Sequence, residues 1–199
     1  MDYNNYKKKI SIVTVLLVVF NVGIWSVLEF LGDTLDASFI VKYGGLYPTL
    51  IIEGEWYRFI TAAFLHFGAE HLANNMILLA AAGSKLEQMT GSLRYLVIYI
   101  GAGVAGNLLS LLNMLHTDDY AVCAGASGAV FGIIGALLWV VIRNRGSLAG
   151  LTVKGLLLML ALSLYNGIRS VGVDNWAHFG GAIGGFFLCI LLYRKPQDT

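Results

Sequence analysis

The chain has 199 residues, 57% of them hydrophobic and only 13% charged, with a net charge of +1 and a mean hydropathy of +0.72. A soluble domain carries about 25% charged residues, so this composition excludes an ordinary globular protein and points to one built for the bilayer. The near-zero net charge gives no basis for nucleic-acid binding, and the two cysteines, Cys123 and Cys189, lie in apolar context without metal-ligand spacing and read as packing residues.

The first apolar run, residues 10–30, follows Lys7, Lys8 and Lys9. It is too long for the apolar core of a signal peptide and no clear small-residue cleavage site follows it, so it reads as a first membrane span. The segment 31–68 mixes apolar and polar residues and is too long for a simple connector. Trp25, Tyr43, Tyr47, Trp56 and Tyr57 lie in it or close by, as expected of a loop half in the outer leaflet with aromatic anchors.

Further spans are expected at 69–86, 93–115, 127–142, 154–168 and 175–193, several shorter than the ~20 residues that a lone span needs. The expected fold is an all-α polytopic membrane protein, a six-transmembrane-helix bundle with a long, partly membrane-embedded loop between helices one and two. One domain covers residues 1–199, with no separate soluble domain. The sequence holds 24 glycines and only 2 prolines, which suits close helix contacts better than flexible linkers.

Orientation follows from the lysines and arginines, because positively charged loops stay cytoplasmic. Lys7, Lys8, Lys9, Lys85, Arg94, Arg143, Arg145, Lys154, Arg194 and Lys195 fall on the side of the termini, ten of the thirteen; Lys42, Arg58 and Arg169 do not. Both termini are therefore expected in the cytoplasm of a bacterial cell, with helices two, four and six each beginning at the outer face of the cytoplasmic membrane.

That arrangement puts three polar intrusions at one depth: His71 with Asn75, Ser127, and His178. The fourth span has sixteen residues, 127–142, before Arg143; this is about 24 Å of helix against a hydrocarbon core of about 30 Å, so Ser127 is expected below the outer surface. A serine hydroxyl is a weak nucleophile until a base takes its proton, and imidazole is the usual base. Gly181 and Gly185 form a GxxxG pair on helix six, and Gly128 and Gly132 bare a matching face of helix four; close packing there would bring Ser127 and His178 together. Gly125 suits a tight re-entrant turn into the helix. His71 and Asn75, four apart on one helix face, and the first amides of helix four would hold a developing oxyanion.

The residues Gly125-Ala-Ser-Gly128, His71-x-x-x-Asn75 and Ala177-His178-x-x-Gly-x-x-x-Gly185 together resemble the signature of the rhomboid intramembrane serine proteases. Glu55-Trp-Tyr-Arg-Phe-Ile-Thr61 and Ala63-Phe-Leu-His66 are similar to that family's first-loop motif and its approach to helix two. The resemblance runs from about residue 50 to 190. It implies a six-helix core that cleaves other membrane proteins through a Ser-His dyad, with Ser127 as nucleophile, His178 as general base, and His71 and Asn75 in the oxyanion hole. Phe131 stands where many members have a tyrosine that stacks on the catalytic histidine. Arg58 and Glu87 resemble structural positions.

The implied partners are transmembrane protein substrates and the lipid bilayer. No metal or organic cofactor and no nucleic acid is implied, water is the second reactant, and the oligomeric state is left open. His66 and His71 are five apart, which is not a same-face metal spacing. Asp174, four before His178, reads as an N-cap more readily than as a third triad member. His116 reads as a solvated loop residue. Two alternatives stay open: a catalytically inactive relative that binds membrane clients, and a small polytopic transporter.

Overall fold

A computed structural model describes residues 10–170 and 172–194. Lys7, Lys8, Lys9 and Lys195, which contribute to the expected orientation, lie outside the described residues. The long helices are α1 (Ile12–Leu31), α7 (Ser92–Thr117), α8 (Ser127–Arg143), α9 (Val153–Arg169) and α10 (Asn175–Leu192). Another helical stretch runs unbroken from 68 to 90 as α5 (Gly68–Leu78), a π-helical segment (Leu79–Gly83) and α6 (Ser84–Thr90). Among the described residues, α1, α7 and α10 are long and apolar enough to cross a membrane, and α8 is a shorter apolar helix.

The burial pattern of α1 inverts that of a soluble protein. Its buried side includes Thr14, Leu17, Asn21 and Leu28, one stripe at spacings of three, four and seven, while Val15, Leu16, Val19, Phe20 and Val27 are exposed. A helix that turns polar groups inward and apolar groups outward is stable only where lipid replaces water outside. Thr14 is satisfied by Glu87, which accepts from the Val13 amide (3.0 Å), the Thr14 amide and hydroxyl (both 2.8 Å) and the Ser92 hydroxyl (2.7 Å). One buried carboxylate thus caps the start of α1 and ties it to the Ser92 side chain at the start of α7. This role explains why the helix continues past the expected end at residue 86: polar Glu87 is inside, not at an aqueous boundary.

Helix α8 is buried along nearly its whole length, including Ala129, Val130, Ile133, Ala136, Leu137 and Val140. A helix apolar all round belongs at the centre of its bundle, and α8 lies between α7 and α10, its most extensive neighbours. Glycine makes the contact with α10 possible. A Cβ on Gly181 would stand 1.9 Å from the Gly128 carbonyl oxygen, and one on Gly185 would stand 2.0 Å from that of Gly132. The two backbones touch, as the GxxxG spacing predicts.

Helix α9 is held more thinly. Only Leu156 and Gly167 of it are buried, and an apolar cavity of about 510 Å³ opens beside it, lined by Leu138, Leu160, Leu164, Phe179 and Phe186 among others. Between α8 and α9 a short hairpin pairs β1 (Ser147–Leu148) with β2 (Leu151–Thr152). His116 is exposed, as expected, but it stands in the last turn of α7 and not in a loop; the helix continues through it and ends at Asp118, in the left-handed region.

The segment from 32 to 67 folds as three short helices, α2 (Ala37–Lys42), α3 (Pro48–Ile52) and α4 (Arg58–Thr61), followed by a 3₁₀ turn (Ala62–Phe64). Arg58, 5% exposed, holds it together: Nη1 donates to the carbonyls of Val41 (2.6 Å) and Gly45 (2.7 Å), and Nε donates to Glu55 (2.7 Å). The Tyr57 hydroxyl and Arg58 both donate to Glu55 and hold its carboxyl below the usual range. Asn107 of α7 donates to the Phe59 carbonyl (2.9 Å) and fastens the loop to the bundle.

Gly185→Ala should lower the melting temperature in detergent micelles, by the equivalent of about 1–3 kcal/mol, since the new methyl has no space. Gly23→Ala, where α1 meets nothing within 4 Å, should raise it slightly, because alanine is favoured over glycine inside a helix by about 0.5–1 kcal/mol. Equal melting of Gly185→Ala and the unsubstituted protein would show that the backbones do not touch there.

Candidate active site

Ser127 is the first residue of α8, and the chain before it is irregular backbone that must be satisfied from elsewhere. Leu46 and Cys123 form an antiparallel bridge, with both N–H to O distances 2.9 Å. The Gly125 amide donates to the Ala62 carbonyl (2.9 Å), and the Ala126 amide donates to Nε2 of His66 (3.3 Å). The helix then starts with the Val130 amide on the Ala126 carbonyl (2.9 Å). The amides of 127–129 therefore have no partner within the helix and face its N-terminal end, where the dipole is positive.

Gly125 is the hinge of this turn. Its φ is +136°, and a Cβ there would stand 2.8 Å from Cε1 and 2.9 Å from Nε2 of His71, and 3.7 Å from the Ser127 hydroxyl. The His71 ring and the Ser127 oxygen therefore both stand close to one glycine, where any side chain would run into the histidine. Asn75, one turn along α5 and buried, donates through Nδ2 to the His71 carbonyl (3.0 Å). One of its two N–H bonds is thus engaged within the helix and the other remains.

His178 closes the first turn of α10 and is 8% exposed. Its ring stacks on Phe131 of α8, with centroids 4.1 Å apart and planes 6° from parallel. Phe131 is one turn below Ser127 on α8, so the stack holds the imidazole against the face that carries the serine. Gly128 meets the Ala177 carbonyl, its virtual Cβ at 3.3 Å. Ser127 and His178 are each one residue from that contact.

Asp174 accepts from the Ala177 amide (2.9 Å), which makes it the N-cap of α10, and it also accepts from the Ser110 hydroxyl of α7. Both contacts agree with a capping residue that sets the position of the histidine helix. Cys123 and Cys189 are buried and unpaired with one another; the Cys123 thiol meets Asn107 Oδ1 at 3.6 Å.

The structure thus brings Ser127, Gly125 and His71 together, sets Phe131 on His178, and joins the two groups across Gly128, Gly181 and Gly185. It adds His66, which the sequence marks as part of the approach to helix two and as a poor metal candidate, without a role in the site. His66 is 1% exposed and packs edge-on against His71, with centroids 5.2 Å apart. Its partner is 60 residues away in the chain, so local spacing carries no signal of it.

Asp174→Ala should cost about 1–2 kcal/mol in thermal or denaturant unfolding, the usual loss for an N-cap. Asp174→Asn should recover part of it, because the amide oxygen still accepts. Wild-type stability for Asp174→Ala would remove the capping role.

Comparison with known proteins extends the likeness over most of the chain. The family model described as the Rhomboid domain matches residues 53–195. Rhomboid protease GluP of Bacillus subtilis is 35% identical over 179 residues, which cover 90% of this chain and 34% of that protein. RHOMBOID-like protein 5 of Arabidopsis thaliana is 39% identical over 162 residues, 78% of this chain and 50% of that one. Rhomboid protease AarA of Providencia stuartii is 32% identical, with 92% of this chain and 73% of that protein covered. The chain thus spans between a third and about half of the first two relatives and nearly three quarters of the third.

Proposed function

The chain belongs to the rhomboid family, and from that premise we propose that it is an intramembrane serine protease that cuts other membrane proteins in or beside a transmembrane segment. Two of the relatives named above carry the word protease in their names. The observation that carries the reading is that Ser127 and His71 both stand close to Gly125, with His178 stacked on Phe131 of the same helix one turn below Ser127.

In this reading the Ser127 oxygen attacks the scissile carbonyl, and His178 takes the serine proton and gives it to the leaving amine. Water then enters by the reverse route, with His178 again the base, and releases the acyl group from Ser127. The oxyanion is met by the free amides at the start of α8, by His71 and by the remaining N–H of Asn75. Phe131 holds the ring of His178 by stacking alone, so no hydroxyl from that position takes part. A substrate helix must unwind before its carbonyl reaches Ser127, because every helical carbonyl is already bonded. Substrates should therefore carry small or helix-destabilising residues near their outer ends.

The membrane arrangement belongs to the same proposal. Helix α1, the stretch 68–90, and helices α7, α8, α9 and α10 are six spans of a single membrane domain, with both termini cytoplasmic and the site toward the outer face of a bacterial cytoplasmic membrane. The exposed apolar surface of the loop between the first two spans supports its lying partly in the outer leaflet, with Leu35, Ile52, Trp56, Tyr57 and Ile60 exposed.

Ser127→Ala and His178→Ala should each abolish cleavage of a model transmembrane substrate by the purified protein, and the double variant should be no worse than either, because residues acting as one unit are non-additive. A folded single variant that keeps near wild-type turnover would end the dyad assignment. Absence of cleavage by the unsubstituted protein would favour an inactive client-binding relative or a transporter.

His71→Ala and Asn75→Ala should lower kcat about 10- to 10³-fold and leave KM nearly unchanged, since the oxyanion exists only in and around the transition state. Variants must first match the wild type in thermal stability. If both then cleave at the wild-type rate, the side chains are structural and backbone amides alone hold the oxyanion.

A further inference from the structure

The nucleophile's turn has an unusual support. Ala126 is the N-cap residue of α8, and its side chain has no oxygen with which to satisfy the first amides of the helix. Its own amide is buried, since Ala126 is 0% exposed, and a buried N–H without an acceptor costs as much as a lost hydrogen bond. The acceptor is the ring of His66, through Nε2 at 3.3 Å. An accepting Nε2 fixes the tautomer: the imidazole is neutral, with its proton on Nδ1.

The segment that carries His66 makes two contacts with the turn. The Ala62 carbonyl takes the Gly125 amide, and His66 takes the next amide. The same ring lies edge-on to His71, at 5.2 Å and 68°, and His71 is the side chain nearest Gly125, with the Ser127 hydroxyl close to the same point. One fully buried imidazole thus touches both the backbone that aims the serine and the side chain assigned to the oxyanion. It contacts no reacting atom.

We propose that His66 is a positioning residue for the reaction: its neutral Nε2 holds the Ala126 amide and its ring braces His71, so that Ser127 and the oxyanion donors keep their relative places. The inference rests on Ser127 being the nucleophile. The demand is strict, because a displacement of about 1 Å at a reacting group can cost about 10²-fold in rate. A core-filling histidine would need only volume. A positioning histidine needs an acceptor at the end of a side chain of its length.

Two substitutions separate these roles. His66→Met keeps bulk and removes the acceptor, whereas His66→Gln places an amide oxygen near the site of Nε2. Both are first compared with the wild type in thermal melting. His66→Met should lose about 10- to 100-fold in kcat with KM within about twofold, and His66→Gln should recover to within about fivefold of wild type.

Wild-type kcat in His66→Met overturns the proposal. So does an equal loss in His66→Met and His66→Gln when both melt like the wild type. If His66→Met does not fold, lactic acid in place of Ala126 deletes the same N–H by an ester link and leaves His66 intact. It should bring the same loss of kcat, and wild-type turnover of the ester protein is then the contrary result. Ser127→Ala run alongside separates the two readings. Cleavage by Ser127→Ala removes the nucleophile itself, whereas a dead Ser127→Ala beside a fully active His66→Met removes only the positioning role.

Discussion

The arrangement depends on two helix backbones lying in contact. Gly181 against the Gly128 carbonyl and Gly185 against that of Gly132 leave no space for even one methyl group. Inside a bilayer the lipid tails are as apolar as the side chains, so helices gain little from burying hydrophobic surface against each other. They associate through close van der Waals contact, which small residues permit. The same contact has a chemical consequence. It sets the first turn of α8, which carries Ser127, beside the first turn of α10, which carries His178, and the stack of Phe131 on His178 limits the freedom of the imidazole to swing away.

The second constraint is the satisfaction of irregular backbone. The turn before Ser127 cannot leave amides bare at membrane depth, and the structure answers with contacts from the long loop: Leu46 to Cys123, Ala62 to Gly125, His66 to Ala126. That loop is in turn held by Arg58 on the carbonyls of Val41 and Gly45 and by Asn107 on Phe59. At the opposite end of the bundle Glu87 caps the start of α1 and holds the Ser92 hydroxyl at the start of α7. The positions read from sequence as structural therefore act as supports at the two ends, with the site resting on one of them.

Much of this is legible in the sequence because the bilayer imposes simple rules. Apolar runs mark the helices to within a few residues, GxxxG marks the close crossing, and Ser127, His71 and His178 stand out as polar residues in apolar runs. The reading misses what depends on distant partners. The helix through 68–90 outlasts its apolar run because Glu87 is hydrogen-bonded by donors about 70 residues away, and the π-helical segment within it has no local signature. The hairpin at Ser147–Thr152 is too short to show a period. His66 stands in a stretch that resembles the family, but its contact shows only when Ala126 is folded onto it. Asp174 is the converse case: its place just before α10 is enough to identify the cap.

The central claim is that Ser127 is a nucleophile made reactive by His178. The most direct measurement is covalent labelling of the purified protein by a serine-directed phosphonate, with the modified residue located by peptide mass spectrometry. A hydroxyl without its base is unreactive. The account predicts a single adduct on Ser127 that is lost in His178→Ala. An adduct on another serine, or undiminished labelling of Ser127 in folded His178→Ala, would contradict it.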